Sequence, residues 1–247
     1  MKLFIFVFIL FFLNHYAQTA SLKEASFQGG KIYELNSEKR HLLFTMNAEL
    51  TKLANGISVF KSSYVDPKNN EVLTEEATFE LLNLQNYTID QKQLNESYQL
   101  KIADGKMHFS VTKDGKTNQK IRALPKNLII GPSFVPFLEL HWHEVQAKKK
   151  VQAELAMLDY MDTFSFEFEK IRDSKVEGTD VVIVRMNPHN SLLASIVRPI
   201  YFVVNVQGTQ ILELKGRMLP KKKIGTRWKD FEAEAIFTYN EPIRQKN

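Results

Sequence analysis

The sequence predicts an all-β protein: a curved, mainly antiparallel half-barrel sheet with two short helices packed on its concave face. Three observations predict it. Apolar and polar residues alternate with a period of two through most of the chain, Asp-Gly and similar dipeptides join the alternating runs, and only two segments carry a helical period. Alternating runs joined by hairpins form an antiparallel sheet with one buried and one wet face.

The first element is not part of that sheet. Lys2 precedes an unbroken apolar run at residues 3–13, LFIFVFILFFL, and a polar stretch then ends in small residues. As a helix the run would reach only about 16 Å, against a bilayer core of roughly 30 Å. Residues 1–20 are therefore expected to be a secretory signal peptide, with Ala17 and Ala20 near the cut. Residues 21–247 are expected to form a single antiparallel half-barrel domain. The 247-residue chain has no Cys, which excludes a disulfide framework and a lipobox anchor. The expected location is the bacterial periplasm, with no transmembrane helix in the mature chain.

The strands follow. GISVFKSSYV and EVLTEEATFELL flank a turn at Asp66–Asn70. SYQLKIA and KMHFSVT flank Asp104-Gly105, the strongest short hairpin signal in the chain, because both central residues need positive φ. Asp114-Gly115 and Gln207-Gly208 mark further turns. FSFEFEK places Phe164, Phe166 and Phe168 on one face, with Glu167 and Glu169 on the other. DVVIVRM, PIYFVVNV, TQILELKGRM and WKDFEAEAIFTY continue the pattern, giving eleven to thirteen expected strands. No internal repeat and no low-complexity linker interrupts them.

Two segments break the period. Phe134, Phe137, Leu138, His141, Trp142 and Val145 form a helical stripe over residues 134–145, with Ser133 as expected N-cap and Pro136 in the first turn. HNSLLASIV, residues 189–197, predicts a second short helix stopped before Pro199.

The first helix falls in residues 131–150, the chain's densest cluster of ionisable and aromatic side chains taken together, with Glu139, His141, His143 and Glu144. Helical residues two apart point about 200° apart, so His141 and His143 cannot grip one ion together. No metal site and no cofactor are expected. The sequence has no nucleophile elbow, no Gly-rich phosphate loop and no Cys nucleophile. Asp159, Asp162, Glu167 and Glu169 are near one another in sequence, but Glu167 and Glu169 share a solvent face. No catalytic residue is assigned.

The apolar face is the remaining candidate for function. Phe231, Ala233, Ala235 and Phe237 put two small residues between large ones on the last strand, leaving a hollow that a helix or a ligand could fill. With Phe134, Phe137, Leu138 and Trp142 of the helix, and Phe164, Phe166 and Phe168, these are the candidate lining of an apolar cavity. The formal charge is +5, concentrated partly in Lys148–Lys150 and Lys221–Lys223. These triplets offer a weak contact with an anionic membrane surface, or serve only as solvated tips. A nucleic-acid partner is not expected of an exported protein.

GPSFVPFLELHWHEV, the RMNPHNSLLASIVRPIYF element and the closing ILELKGRM and FEAEAIFTY strands resemble an uncharacterised family of bacterial envelope proteins over residues 120–240. More distantly, the architecture is similar to the half-barrel group of the periplasmic lipoprotein carrier and its outer-membrane receptor. That resemblance implies the half-barrel fold and the envelope compartment more than an activity; with the apolar face, the expectation is an exported, non-enzymatic binding or carrier-like protein for a lipid or lipidated partner. Two alternatives stay open. One is an enzyme of unknown reaction using His141 or the Asp159–Glu169 carboxylates, and the other is a structural envelope factor acting through a sheet edge.

Overall fold

The computed structural model describes residues 26–190 and 197–240, which form a fifteen-stranded sheet and a separate two-stranded hairpin. Eight strands follow one another as an antiparallel meander: β1 (Ser26–Glu34), β2 (Leu42–Lys52), β3 (Ile57–Val65), β4 (Glu71–Glu80), β5 (Asn83–Gln91), β6 (Glu96–Ala103), β7 (Lys106–Lys113) and β8 (Lys116–Ala123). A short β9 (Leu128–Ile129) leads into α1 (Phe134–Leu140) and α2 (Trp142–Gln146). A second meander follows in β10 (Val151–Met157), β11 (Asp162–Val176), β12 (Thr179–Pro188), β13 (Ile200–Asn205) and β14 (Ile211–Arg217). The hairpin β15 (Lys222–Ile224) and β16 (Arg227–Lys229) then precedes β17 (Glu232–Asn240).

β17 pairs with β1 on one side and β14 on the other, so it joins the two meanders and leaves β8 and β9 as the sheet's edges. The all-β, mainly antiparallel class is as the sequence predicts. The strand count among the described residues is higher than expected, seventeen against eleven to thirteen. β9, β15 and β16 are two or three residues long, too short to show a period, and β8 (KTNQKIRA) is polar on both faces.

Turn chemistry sets the register. Asp104 and Gly105 have φ of 51° and 66°, and Asp114 and Gly115 have 51° and 72°, as two-residue hairpin turns require. The Asp66 carboxylate accepts the backbone N–H groups of Lys68 and Asn70, both at 2.9 Å, and so holds the β3–β4 turn.

Among the described residues β9 and β10 are the one parallel pair, and parallel neighbours need a crossover connection. The crossover is α1 and α2, laid on the inner face of the second meander. Leu138 and Val145 pack there with Phe168, Val182, Val184, Met186, Phe202 and Val204, all completely or almost completely buried. The Phe137 and Phe168 rings are 5.2 Å apart, and those of Phe134 and Phe202 are 5.5 Å apart.

Three local expectations need correction. The predicted helix is two helices, because His141 leaves the helical region (φ −103°, ψ 12°) between them. Ser133 does not cap α1; its hydroxyl accepts the Ile130 N–H at 2.9 Å and donates to the Ile130 carbonyl at 3.0 Å. Trp142 is only partly buried: it leans on the β13–β14 turn, its Nε1–H donating to the Val206 carbonyl at 2.9 Å. Gly208 makes room for that ring, since a Cβ there would come within 2.2 Å of it. The second expected helix, at residues 189–197, falls largely outside the described residues.

The sheet's two ends approach each other through side chains. Phe109 and Met107 of β7 face inward, so their partners Lys120 and Arg122 on β8 also face inward. Both reach Asp162 at the start of β11: Lys120 Nζ donates to Oδ2 at 2.8 Å, and Arg122 Nη2 donates at 3.1 Å. Partial burial pushes the Asp162 pKa up, but these bonds and the Thr163 N–H outweigh it and hold the carboxyl at about 2. Above this ionic seam, Leu158 and Ala156 join the apolar cluster of the first meander.

Two predictions follow from this packing. Phe168→Ala should cost about 3–5 kcal/mol, and Trp142→Ala distinctly less, because only Phe168 is enclosed on every side. Equal losses of urea midpoint would contradict the placement of Trp142. Asp162→Asn should cost about 1 kcal/mol at pH 6, allowing for solvent screening of a group one-third exposed. Its folded pKa is depressed, so that contribution is present above the unfolded value of 3.8 and is lost as pH falls towards 2. The gap between wild type and variant should close over that interval.

Candidate functional site: an apolar cavity with a buried carboxyl

The helices cover the second meander and leave part of the first meander's inner face bordering open space. The result is a cavity of about 1780 Å³. Inward positions of the alternating strands supply its wall: Phe27 and Ile32 from β1, Met46 and Ala48 from β2, Phe60 and Tyr64 from β3, Phe79 from β4, Tyr87 and Ile89 from β5. Phe134 and Val135 of α1 and Leu155 of β10 face them, with Leu214, Ala235 and Phe237 between. Ligand pockets are usually about 300–1,000 Å³, so this space exceeds what a compact metabolite needs.

Charged residues such as Glu49, Glu139 and Arg217 also border this space, and one acid is buried in its wall. Glu75 follows Leu73 on the inward face of β4 and is buried. The Tyr87 hydroxyl donates to its Oε2 at 2.7 Å and the Ser62 hydroxyl to its Oε1 at 2.8 Å, with Tyr64 beside them. Burial pushes the Glu75 pKa up, and the hydroxyl bonds offset only part of that rise. Burial, with Glu75 nearby, likewise pushes the phenols of Tyr64 and Tyr87 up. The cavity wall thus holds a hydroxyl-bonded carboxyl with no cation against it in this group.

A strap closes one end. Lys221, after β14, exchanges bonds with Gln93 in the β5–β6 turn: its N–H donates to Gln93 Oε1 at 2.7 Å, and Gln93 Nε2 donates to its carbonyl at 2.9 Å. The Lys221 ammonium meets Asp230 and, at 3.5 Å, Asp159 of the β10–β11 turn. Burial alone would lower the Lys221 pKa, but the two carboxylates outweigh it and keep the amine charged. Lys222 pairs with Glu34 at the end of β1. One short segment thereby touches three separated parts of the barrel rim.

The structure distributes the sequence-predicted residues over three places. Phe134, Ala235 and Phe237 line the cavity. Phe137, Leu138, Phe166 and Phe168 sit in the core under the helices, with Phe164 and Trp142 at its margin. Ala233 is buried in the first meander's core, and Phe231 packs on that core beside Phe44. His141 bonds Glu144 at 2.6 Å and stacks near Phe137, and it is not part of the cavity wall. Asp159 is at the strap and Asp162 at the seam. Glu167 and Glu169 are outside, the first bonded to Lys150 and His189, the second to Arg185. His141 and these carboxylates do not converge.

Sequence reasoning missed Glu75, Ser62, Tyr64 and Tyr87. The signal was there in EVLTEEATFE, where the series Leu73, Glu75, Ala77, Phe79 puts a carboxyl on an apolar face. Of the lysine triplets, Lys150, Lys221 and Lys222 are paired with carboxylates, which leaves Lys148, Lys149 and Lys223 without one among the described residues. No helix among the described residues is long and apolar enough to cross a membrane.

No family model and no curated protein matches the chain. Three solved structures are similar in outline. A beta-barrel-like protein of the domain of unknown function DUF1849 from Brucella abortus is 10% identical, covering 87% of this chain and 97% of its own, at a TM-score of 0.44. A DUF1329 family protein from Desulfovibrio piger is 9% identical, covering 90% and 87%, at 0.28. A porin-like protein from Bacteroides uniformis is 7% identical, covering 87% and 97%, at 0.24. At such scores the fold stands on its strand register and not on these likenesses.

Glu75→Gln tests the buried carboxyl. Its folded pKa is raised, so any stability it gives is present below the unfolded value of 4.5 and is lost as pH rises through the folded value. The variant should therefore gain on wild type in urea midpoint between pH 4 and pH 8. A difference independent of pH would show that Glu75 is not buried as described.

Proposed function

We propose that this chain is an exported, periplasmic, non-enzymatic carrier that shelters the acyl chain of a lipid or lipidated partner inside its half-barrel. The observation that carries this reading is the 1780 Å³ cavity walled mainly by Phe, Tyr, Ile, Leu and Met. Apolar surface left facing water in a folded core is costly, at about 25 cal/mol per Å², and an apolar ligand removes that cost. Small residues at Ala48 and Ala235 give the space its width. Export is supported by the sequence of residues 1–20, which lie outside the described residues.

Purified, delipidated protein should take up a fluorescent fatty acid in stoichiometric amount. Ala48→Phe and Ala235→Phe should each reduce uptake at least tenfold, and Ala48→Phe, at the more exposed of the two wall positions, should leave the melting temperature little changed. If wild type takes up no probe and both variants are destabilised by about 1–3 kcal/mol, the space is ordinary packed core and the carrier reading fails.

A further inference from the structure

The hairpin of β15 and β16 belongs to neither meander. It stands between β14 and β17 on the strap, at one end of the cavity, and pairs only with itself. Residues 223–230 are all exposed, although an isolated two-stranded hairpin is marginally stable in water. It is fastened at its base by Lys221, Asp230 and the Lys222–Glu34 pair, and Gly225 supplies the positive φ (62°) that its tight turn needs.

Its composition is unusual for a solvated loop. Lys222, Lys223, Arg227 and Lys229 fall within eight residues that contain no acid. Lys223, Arg227 and Lys229 have no carboxylate partner among the described residues. Between these cations are two large apolar side chains, Ile224 at 52% exposure and Trp228 at 38%. Lys223 lies 5.7 Å from the centre of the Trp228 ring, covering only part of it.

The register decides what such a hairpin fits. Lys223 pairs with Trp228 and Ile224 with Arg227, so the two apolar residues point to opposite faces of the ribbon, each beside a cation. A flat protein surface could bury one of them. A soft interface entered tip-first takes both, with the cations left at headgroup level, where anionic lipids hold Lys and Arg and where Trp prefers to lie.

We infer that residues 222–229 are a docking tip for an anionic bilayer surface. The tip would set the adjoining end of the cavity against the membrane. This deepens the carrier reading, yet it rests on the hairpin's own geometry and would hold for an empty barrel.

The test is flotation of the purified protein with vesicles of phosphatidylcholine alone or with one-third phosphatidylglycerol, in low salt. Wild type should float with the anionic vesicles only and be released as salt rises. Lys223→Gln/Arg227→Gln/Lys229→Gln should weaken partitioning about a hundredfold. Ile224→Ser/Trp228→Ser should weaken it at least tenfold. Both variants should keep the wild-type melting temperature and fatty-acid uptake, since every altered side chain is exposed. In a Trp142→Phe background, Trp228 emission should shift to the blue on anionic vesicles. The inference is overturned if wild type does not float, if both variants float as wild type does, or if Trp228 emission stays unshifted, as expected of a tip that serves an acidic protein instead. Uptake without flotation removes the docking tip and leaves the carrier. Flotation without uptake does the reverse.

Discussion

A sheet that curls without closing must manage two free edges, and the rest of this structure follows from how that is done. β8 and β9 do not exchange backbone hydrogen bonds. Inward-facing Lys120 and Arg122 converge instead on Asp162, and the apolar turn at Leu158 tucks beneath the first meander. Because this join is ionic and local, the wall around the cavity keeps its curvature without the shear that a fully bonded barrel would impose.

The two halves are filled differently, and the difference makes the cavity. A single parallel pair, β9 with β10, requires a crossover, and the crossover's helices pack into one half only. Leu138 and Val145 complete a dry core there. In the other half the same alternation presents Phe60, Tyr87 and Ile89 to open space, with Glu75 among them. Two hydroxyls bond this carboxyl, yet burial still holds its pKa up, since a buried charge without a counter-ion is among the costliest groups to place.

Much of this was legible in the sequence, for reasons that can be named. Period-two alternation identified the long strands, and Asp-Gly marked two turns whose φ values are as required. The turn at Glu177 and Gly178 has the same positive φ at both positions, yet Glu carries no such signal. The helical stripe found α1 and α2 but not their break, because His141 bends the axis with no Pro or Gly to announce it. Phe137 and Phe168 fall on apolar faces in the sequence pattern, and the structure buries both in the helix-covered core and not in the cavity wall. Which inward residues meet a helix and which meet a cavity depends on the crossover, and residue spacing says nothing of that. Glu75 was visible as an exception to a pattern, and its hydroxyl partners come from neighbouring strands, whose pairing the sequence leaves open.

The seam also bears on how molecules of this protein meet one another. An exposed edge strand offers unpaired backbone groups to any other edge, the usual beginning of strand-by-strand aggregation. On β8 the two inward cations would have to leave Asp162 and lie against an incoming strand before such a ladder could grow. Lys116, Asn118 and Gln119 add polar groups along the same strand. The residues that hold the half-barrel's ends together therefore also make its open edge a poor template for another copy.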